Sequence, residues 1–156
     1  MRDKRSVLGL IGALAIALAA LFLAGSAQAA DGPAGKVMVL PVPAQKLAPA
    51  ANAPTISPSV NTTHVAYGGT ITCPSGNLCA GVQDPTTNSW KIFYLFTCAK
   101  YSVSYWNGDG HYADSQTGGV TSYFYGQSGN ELTHFTPDGG VDHPYNWGPV
   151  WSIRNC

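Results

Sequence analysis

The 156-residue chain carries eight basic and eight acidic side chains, so its formal net charge is zero, and only 10% of its residues are charged. That balance excludes a basic stripe for nucleic acid and a function resting on long-range electrostatic steering. Four cysteines with four Trp, eight Tyr and five Phe point instead to a small, aromatic-rich domain braced by cross-links.

At the N-terminus, Arg2, Lys4 and Arg5 form a positive leader, Val7 to Ala24 is apolar and uncharged, and Ala27-Gln28-Ala29 is a small-x-small site. This is the order of a secretory signal peptide over 1–29, with a mature chain from Ala30 that is expected outside the cell. A retained anchor is the competing reading, because the apolar stretch is near the shortest that spans a bilayer. The cleavage site and the Ala/Gly-rich composition favour removal, and no second apolar run of that length follows. No membrane association is expected after removal. The mature chain keeps five cations (Lys36, Lys46, Lys91, Lys100, Arg154) and seven anions (Asp31, Asp84, Asp109, Asp114, Glu131, Asp138, Asp142), a net charge of −2.

Residues 30–62 hold six prolines (Pro33, Pro41, Pro43, Pro49, Pro54, Pro58) and no aromatic residue. Such a stretch buries too little apolar surface to offset its ordering entropy, so it reads as a flexible, extended arm. Inside it, Val37, Met38, Val39, Leu40 and Val42 make a β-prone apolar run. Either this is an incidental patch on a tether, or it is a docking segment that adds as a strand to a partner or enters its groove.

From 63 to 156, short runs alternate with turn residues. Strands are expected at Thr63–Tyr67, Thr70–Cys73, Leu78–Val82, Trp90–Phe96, Tyr101–Trp106, Val120–Tyr125, Glu131–Phe135 and Val150–Arg154. Gly68-Gly69, Pro74–Asn77, Asp84–Asn88, Asn107–Gly110 and Pro137–Gly140 punctuate them. No stretch shows helical apolar spacing. The reading is an all-β sandwich or small barrel. Cys73, Cys79, Cys98 and Cys156 read as two disulfides in one of three pairings; their spacing lacks the paired C-x₂-C of a zinc site.

Catalytic patterns are missing. Gly126-Gln127-Ser128-Gly129 falls one residue short of G-x-S-x-G. His64, His111, His134 and His143 make no H-x₃-H or HExxH arrangement, and Glu131 is the one glutamate. Asp109, Asp114, Asp138 and Asp142 sit in Gly-rich, turn-like sequence, where Asp serves the backbone. Asn107-Gly108-Asp109-Gly110 opens like a calcium loop but has Gly118 at the twelfth position. No catalytic residue, metal or cofactor is expected. Asn61-Thr62-Thr63 is a formal glycosylation sequon. Tyr105, Trp106, Tyr112, Tyr145 and Trp147 lie beside Gly-rich loops, where aromatics form a sugar-stacking platform, a protein hot spot or simply core.

Two resemblances follow from local motifs. Cys73-Pro74-Ser75-Gly76-Asn77-Leu78-Cys79, then aromatic strands and Cys98, resembles small secreted actinobacterial proteins grouped with the Streptomyces metalloprotease inhibitors. That grouping implies a βγ-crystallin-like Greek key. Tyr101, Trp106 and Gly108 fit its signature, whereas Gly119 replaces the leading aromatic of a second copy and the calcium motif is missing. Trp106-Asn107-Gly108, Gln116–Gly119, Tyr123–Gln127 and Trp147–Trp151 are similar to small secreted Streptomyces proteins. Some of that build are adaptor subunits of umbrella toxin particles, which implies one protein held by the β domain and another by an N-terminal extension.

The functional expectation is a secreted, non-enzymatic protein-binding module, adaptor or peptidase-inhibitor-like, engaging one or two secreted proteins. Asp84–Ser89 and Pro137–Tyr145 are the candidate inhibitory loops. The alternative is a carbohydrate or cell-wall binder using exposed aromatics. An antibacterial effector acting alone has no supporting motif.

Overall fold

β-Branched and aromatic runs between glycine-containing turns produce twelve strands and no helix among the residues that the computed structural model describes, 36–48 and 52–156. The expected signal peptide over 1–29, residues 30–35 of the expected arm and residues 49–51 lie outside the described residues. The strands are β1 (Val37–Val39), β2 (Thr55–Ser57), β3 (Asn61–Val65), β4 (Thr70–Thr72), β5 (Leu78–Asp84), β6 (Ser89–Leu95), β7 (Lys100–Ser104), β8 (Asp109–Asp114), β9 (Ser122–Tyr125), β10 (Glu131–Phe135), β11 (Asp142–Asn146) and β12 (Ser152–Arg154). All pairings are antiparallel.

Two five-stranded sheets, ordered β10-β9-β12-β7-β2 and β11-β8-β5-β6-β3, face each other, and β1 pairs with β4 in a third, two-stranded sheet. The central strand β5 is buried along its whole length. On one face Leu78, Ala80 and Val82 meet Tyr101, Val103, Phe124 and Ile153 of the first sheet, with Phe93, Trp106 and Trp147 filling the space between. On the other face Cys79 packs with Ile92, Trp90 and Ala113 against Met38, Leu40 and Cys73. A strand covered on both faces has no polar side to alternate with, which explains the run Leu78-Cys79-Ala80-Gly81-Val82.

The second core exists because the supposed arm lies on the domain. Val37↔Thr72 and Val39↔Thr70 pair in register. Leu40 N donates to Gly69 O (3.0 Å) and its carbonyl accepts from Gly68 N (2.8 Å), a contact that Gly68 permits by adopting φ +85°. Trp90 Nε1 donates to Pro41 O (2.9 Å). Fully burying Met38 and Leu40 contributes about 1.5–3 kcal/mol each. This corrects the expected boundary at 62/63: described residues 36–48 and 52–62 belong to the folded unit, which also takes in β2 and part of β3. A Pro-rich stretch without aromatics is ordered here by the apolar face of another element.

Two further strands depart from expectation. β8 and β11 pair through Asp142↔Ala113 to Asn146↔Asp109, where the sequence leads one to expect turn or loop. Pro144 is tolerated because β11 is an edge strand. Gly110 is required by close approach, since a Cβ there would strike Trp147 Nε1 and Gly81 O.

The disulfides are Cys73–Cys79 and Cys98–Cys156, with Cα atoms 5.8 and 5.3 Å apart. The first ties β4 to β5 inside the second core. The second fastens the chain after β12 to the β6–β7 connection.

Candidate binding surface

The aromatic set for which a sugar platform, a protein hot spot and core were all open readings mostly forms the interior. Trp106 and Trp147 are buried with ring centroids 5.0 Å apart, and Trp106 lies 4.7 Å from Phe93. Their indoles donate to Thr55 O and Gly81 O, each at 2.9 Å. Tyr112 stacks on Phe135 at 4.5 Å and His143 at 4.9 Å, and Tyr145 meets Phe124 at 5.0 Å. Burial pushes the hydroxyls of Tyr112 and Tyr145 above the ordinary tyrosine range. Trp106, Trp147, Tyr112 and Tyr145 are therefore corrected from surface to core or core margin. Two facing five-stranded sheets need large side chains between them, and indoles fit when their N–H finds a carbonyl. Tyr105 alone of the set is exposed.

The apolar run of the arm divides by parity. Met38 and Leu40 point inward. Val37, Val39 and Val42 remain 49, 51 and 62% exposed. Val37 and Val39 share their outward face with their register partners Thr72 and Thr70, both exposed, so this small sheet shows solvent four β-branched side chains. Val42 continues the patch beside Gly68. The free edge of β1 is occupied: Val39 N donates to Asp142 Oδ2 (3.1 Å), and Lys36 Nζ donates to Asp138 O (3.1 Å). Strand addition, one of the two readings of this run, is made within the chain, to β4.

Two exposed aromatics escaped the sequence reading, Trp151 and Phe96. Phe96 borders a 600 Å³ groove with Tyr94, Tyr101 and Pro58. Trp151 shares a 310 Å³ cleft with Tyr105. Alternation along β7 places Tyr101 and Val103 inside, and the same parity would send Tyr105 inward. Likewise Trp151 has the parity of buried Ile153. Tyr105 turns out because its φ is +62°, and Trp151 because it follows the turn closed by Val150 N donating to Trp147 O (2.9 Å).

Each histidine pairs with an acid: His64 Nε2–Asp84 Oδ2 at 3.0 Å, His111 Nδ1–Asp142 Oδ1 at 2.9 Å, His134 Nδ1–Glu131 Oε1 and His143 Nε2–Asp138 Oδ2 at 2.6 Å. Among the described residues no histidine is hydrogen-bonded to a hydroxyl or thiol, and no three His, Cys, Asp or Glu side chains converge as a metal site requires. The pairs fasten loops and strands, Asp142 joining β8, β11 and β1. Nor is any described helix long and apolar enough to cross a membrane. The loop Pro137–Tyr145 is half strand, and Asp138 Oδ1 accepts from Gly140 N and Val141 N (3.2 and 3.0 Å). Asp84–Ser89 caps the β5–β6 hairpin, with Thr86 N and Oγ1 donating to Asp84 Oδ1 (2.9 and 2.6 Å).

The chain matches no protein-family model, no curated protein and no solved structure.

Proposed function

We propose that this chain is an exported, non-catalytic binding module that docks on another exported protein, in the manner of an adaptor subunit. The observation that carries the reading is the outward face of the β1–β4 sheet, where Val37, Val39 and Val42 stand exposed beside Thr70 and Thr72. Solvent-facing strands normally carry polar residues, and β-branched side chains in a rigid pair supply apolar contact at little cost in rotamer entropy. With β1's edge closed by Asp142, a partner meets side chains rather than an open backbone ladder. The two disulfides suit an oxidising compartment, and the resemblance to secreted Streptomyces adaptors and inhibitors points the same way.

The test is affinity capture from the culture supernatant of the producing organism, with the mature protein and a Val37→Asp/Val39→Asp variant as baits. Both positions are half exposed, so the variant keeps the wild-type melting temperature within a few degrees. Retention of one defined secreted protein in stoichiometric amount by the wild type, and its loss from the variant, supports the reading. Identical capture by both baits, or none by either, overturns it.

A further inference from the structure

We infer that the cleft between Tyr105 and Trp151 is a binding site for a neutral saccharide. The inference is independent of the valine face and places a second recognition surface at the end of β7 and β12.

The first ground is preorganisation. A non-glycine residue at φ +62° is uncommon and is held against a local cost, and here the result is an exposed tyrosine ring. Trp151 is fixed at its backbone on both sides: its N–H donates to Tyr125 O (2.8 Å) and its carbonyl accepts from Val103 N (3.0 Å). Its ring is nevertheless half exposed. Both rings break the inward parity of their strands and border the same cleft. Breaks in local consistency concentrate where a protein meets a ligand.

The second ground is lining chemistry. Val103, Trp106 and Val150, all buried, make the floor. Ser104 and Asn107, both exposed, add a hydroxyl and a carboxamide at the rim. No charged side chain lines the cleft, so a charged ligand would lose water without gaining a counter-charge. A sugar ring offers an apolar C–H face to an aromatic ring and hydroxyls at its edge. Asn107 can donate and accept toward such hydroxyls, and Tyr and Trp combine an apolar body with a polar tip. At about 310 Å³ the cleft is at the small end of ligand sites, which suits one or two rings. A polyproline II peptide also favours aromatic grooves, but it would leave the rim hydroxyl and carboxamide with fewer partners.

The experiment is titration of the ¹⁵N-labelled protein with maltoheptaose, cellohexaose, chitohexaose and, separately, decaproline at millimolar concentration. Three indole N–H groups are committed to the carbonyls of Pro41, Thr55 and Gly81, so the Trp151 indole and the Ser104 and Asn107 amides are the reporters. Saturable shifts of these signals with at least one saccharide are expected, while the other three indoles stay in place. Tyr105→Ala should weaken binding about tenfold. Trp151→Ala should abolish the amide shifts, and Trp151→Phe should retain part of them, so that the loss traces to the ring rather than to misfolding. Val37→Asp/Val39→Asp should leave the titration unchanged. Silence of the reporters with all three saccharides, a response to decaproline alone, or shifts that survive in Trp151→Ala would each overturn the assignment.

Discussion

Asp84 and Asp114 are both buried carboxylates, and their surroundings push them in opposite directions. For Asp84, burial alone would raise the pKa, but hydrogen bonds from Thr86 and the His64 pair outweigh it and hold the group below its ordinary value. For Asp114, burial dominates, with Asp138 adding repulsion. The hydrogen bonds from Gln116 N and Ser122 Oγ do not compensate, and the pKa is raised. A depressed folded pKa means stability that is present above the unfolded pKa and lost as pH falls through the folded value. A raised one means a cost that is present above the folded pKa and relieved as pH falls toward the unfolded value. Asp84→Asn is therefore expected to lose about 1–3 kcal/mol at neutral pH, with the deficit vanishing in acid. Asp114→Asn keeps the acceptor for Gln116 N while removing the charge. It is expected to gain stability at neutral pH, with the gain vanishing in acid. Urea midpoints of both variants across the acid range check the two signs.

The segment around β1 is where element-scale physics departs most from composition. A Pro-rich stretch without aromatics cannot order itself, yet Met38 and Leu40 find a preformed apolar face at Cys73, Cys79, Trp90, Ile92 and Ala113. Leu40→Ala is expected to lower the unfolding free energy by about 2–5 kcal/mol, while half-exposed Val37→Ala changes it by less than about 0.5 kcal/mol. A free arm would give no measurable loss for either, so denaturant unfolding of the two variants separates the cases. β5, β6, β7, β9, β10 and β12 were legible from apolar and aromatic runs between turns, with ends shifted by a residue or two. β8 and β11 were not, because Asp109-Gly110-His111 and Asp142-His143-Pro144 carry turn chemistry; β8 is a strand through its pairing with β5 and β11, and β11 through its pairing with β8 alone. Of the candidate surface, Tyr105 is exposed as offered, whereas Trp106, Trp147, Tyr112 and Tyr145 turn inward and exposed Trp151 was missed: periodicity distinguishes inside from outside along a strand, but Tyr105 and Trp151 flank strand ends, where a positive φ and a tight turn reset the direction.

At the scale of the whole molecule the cross-links are unequal. Cys98 and Cys156 are separated by 58 positions, Cys73 and Cys79 by 6, and loop-closure entropy assigns them about 4 and about 2 kcal/mol. Replacing each pair by alanine is expected to lower the urea-unfolding free energy in that order. The reverse order would mean that packing around Cys73 and Cys79 outweighs chain entropy. The position of β12 between β7 and β9 also makes it the strand that joins the two halves of the first sheet. β7 and β9 lie roughly 10 Å apart, twice the strand spacing, with β12 alone between them. Loss of Ser152–Arg154 would therefore split the first sheet into the separate pairs β10-β9 and β7-β2, each left with an open edge.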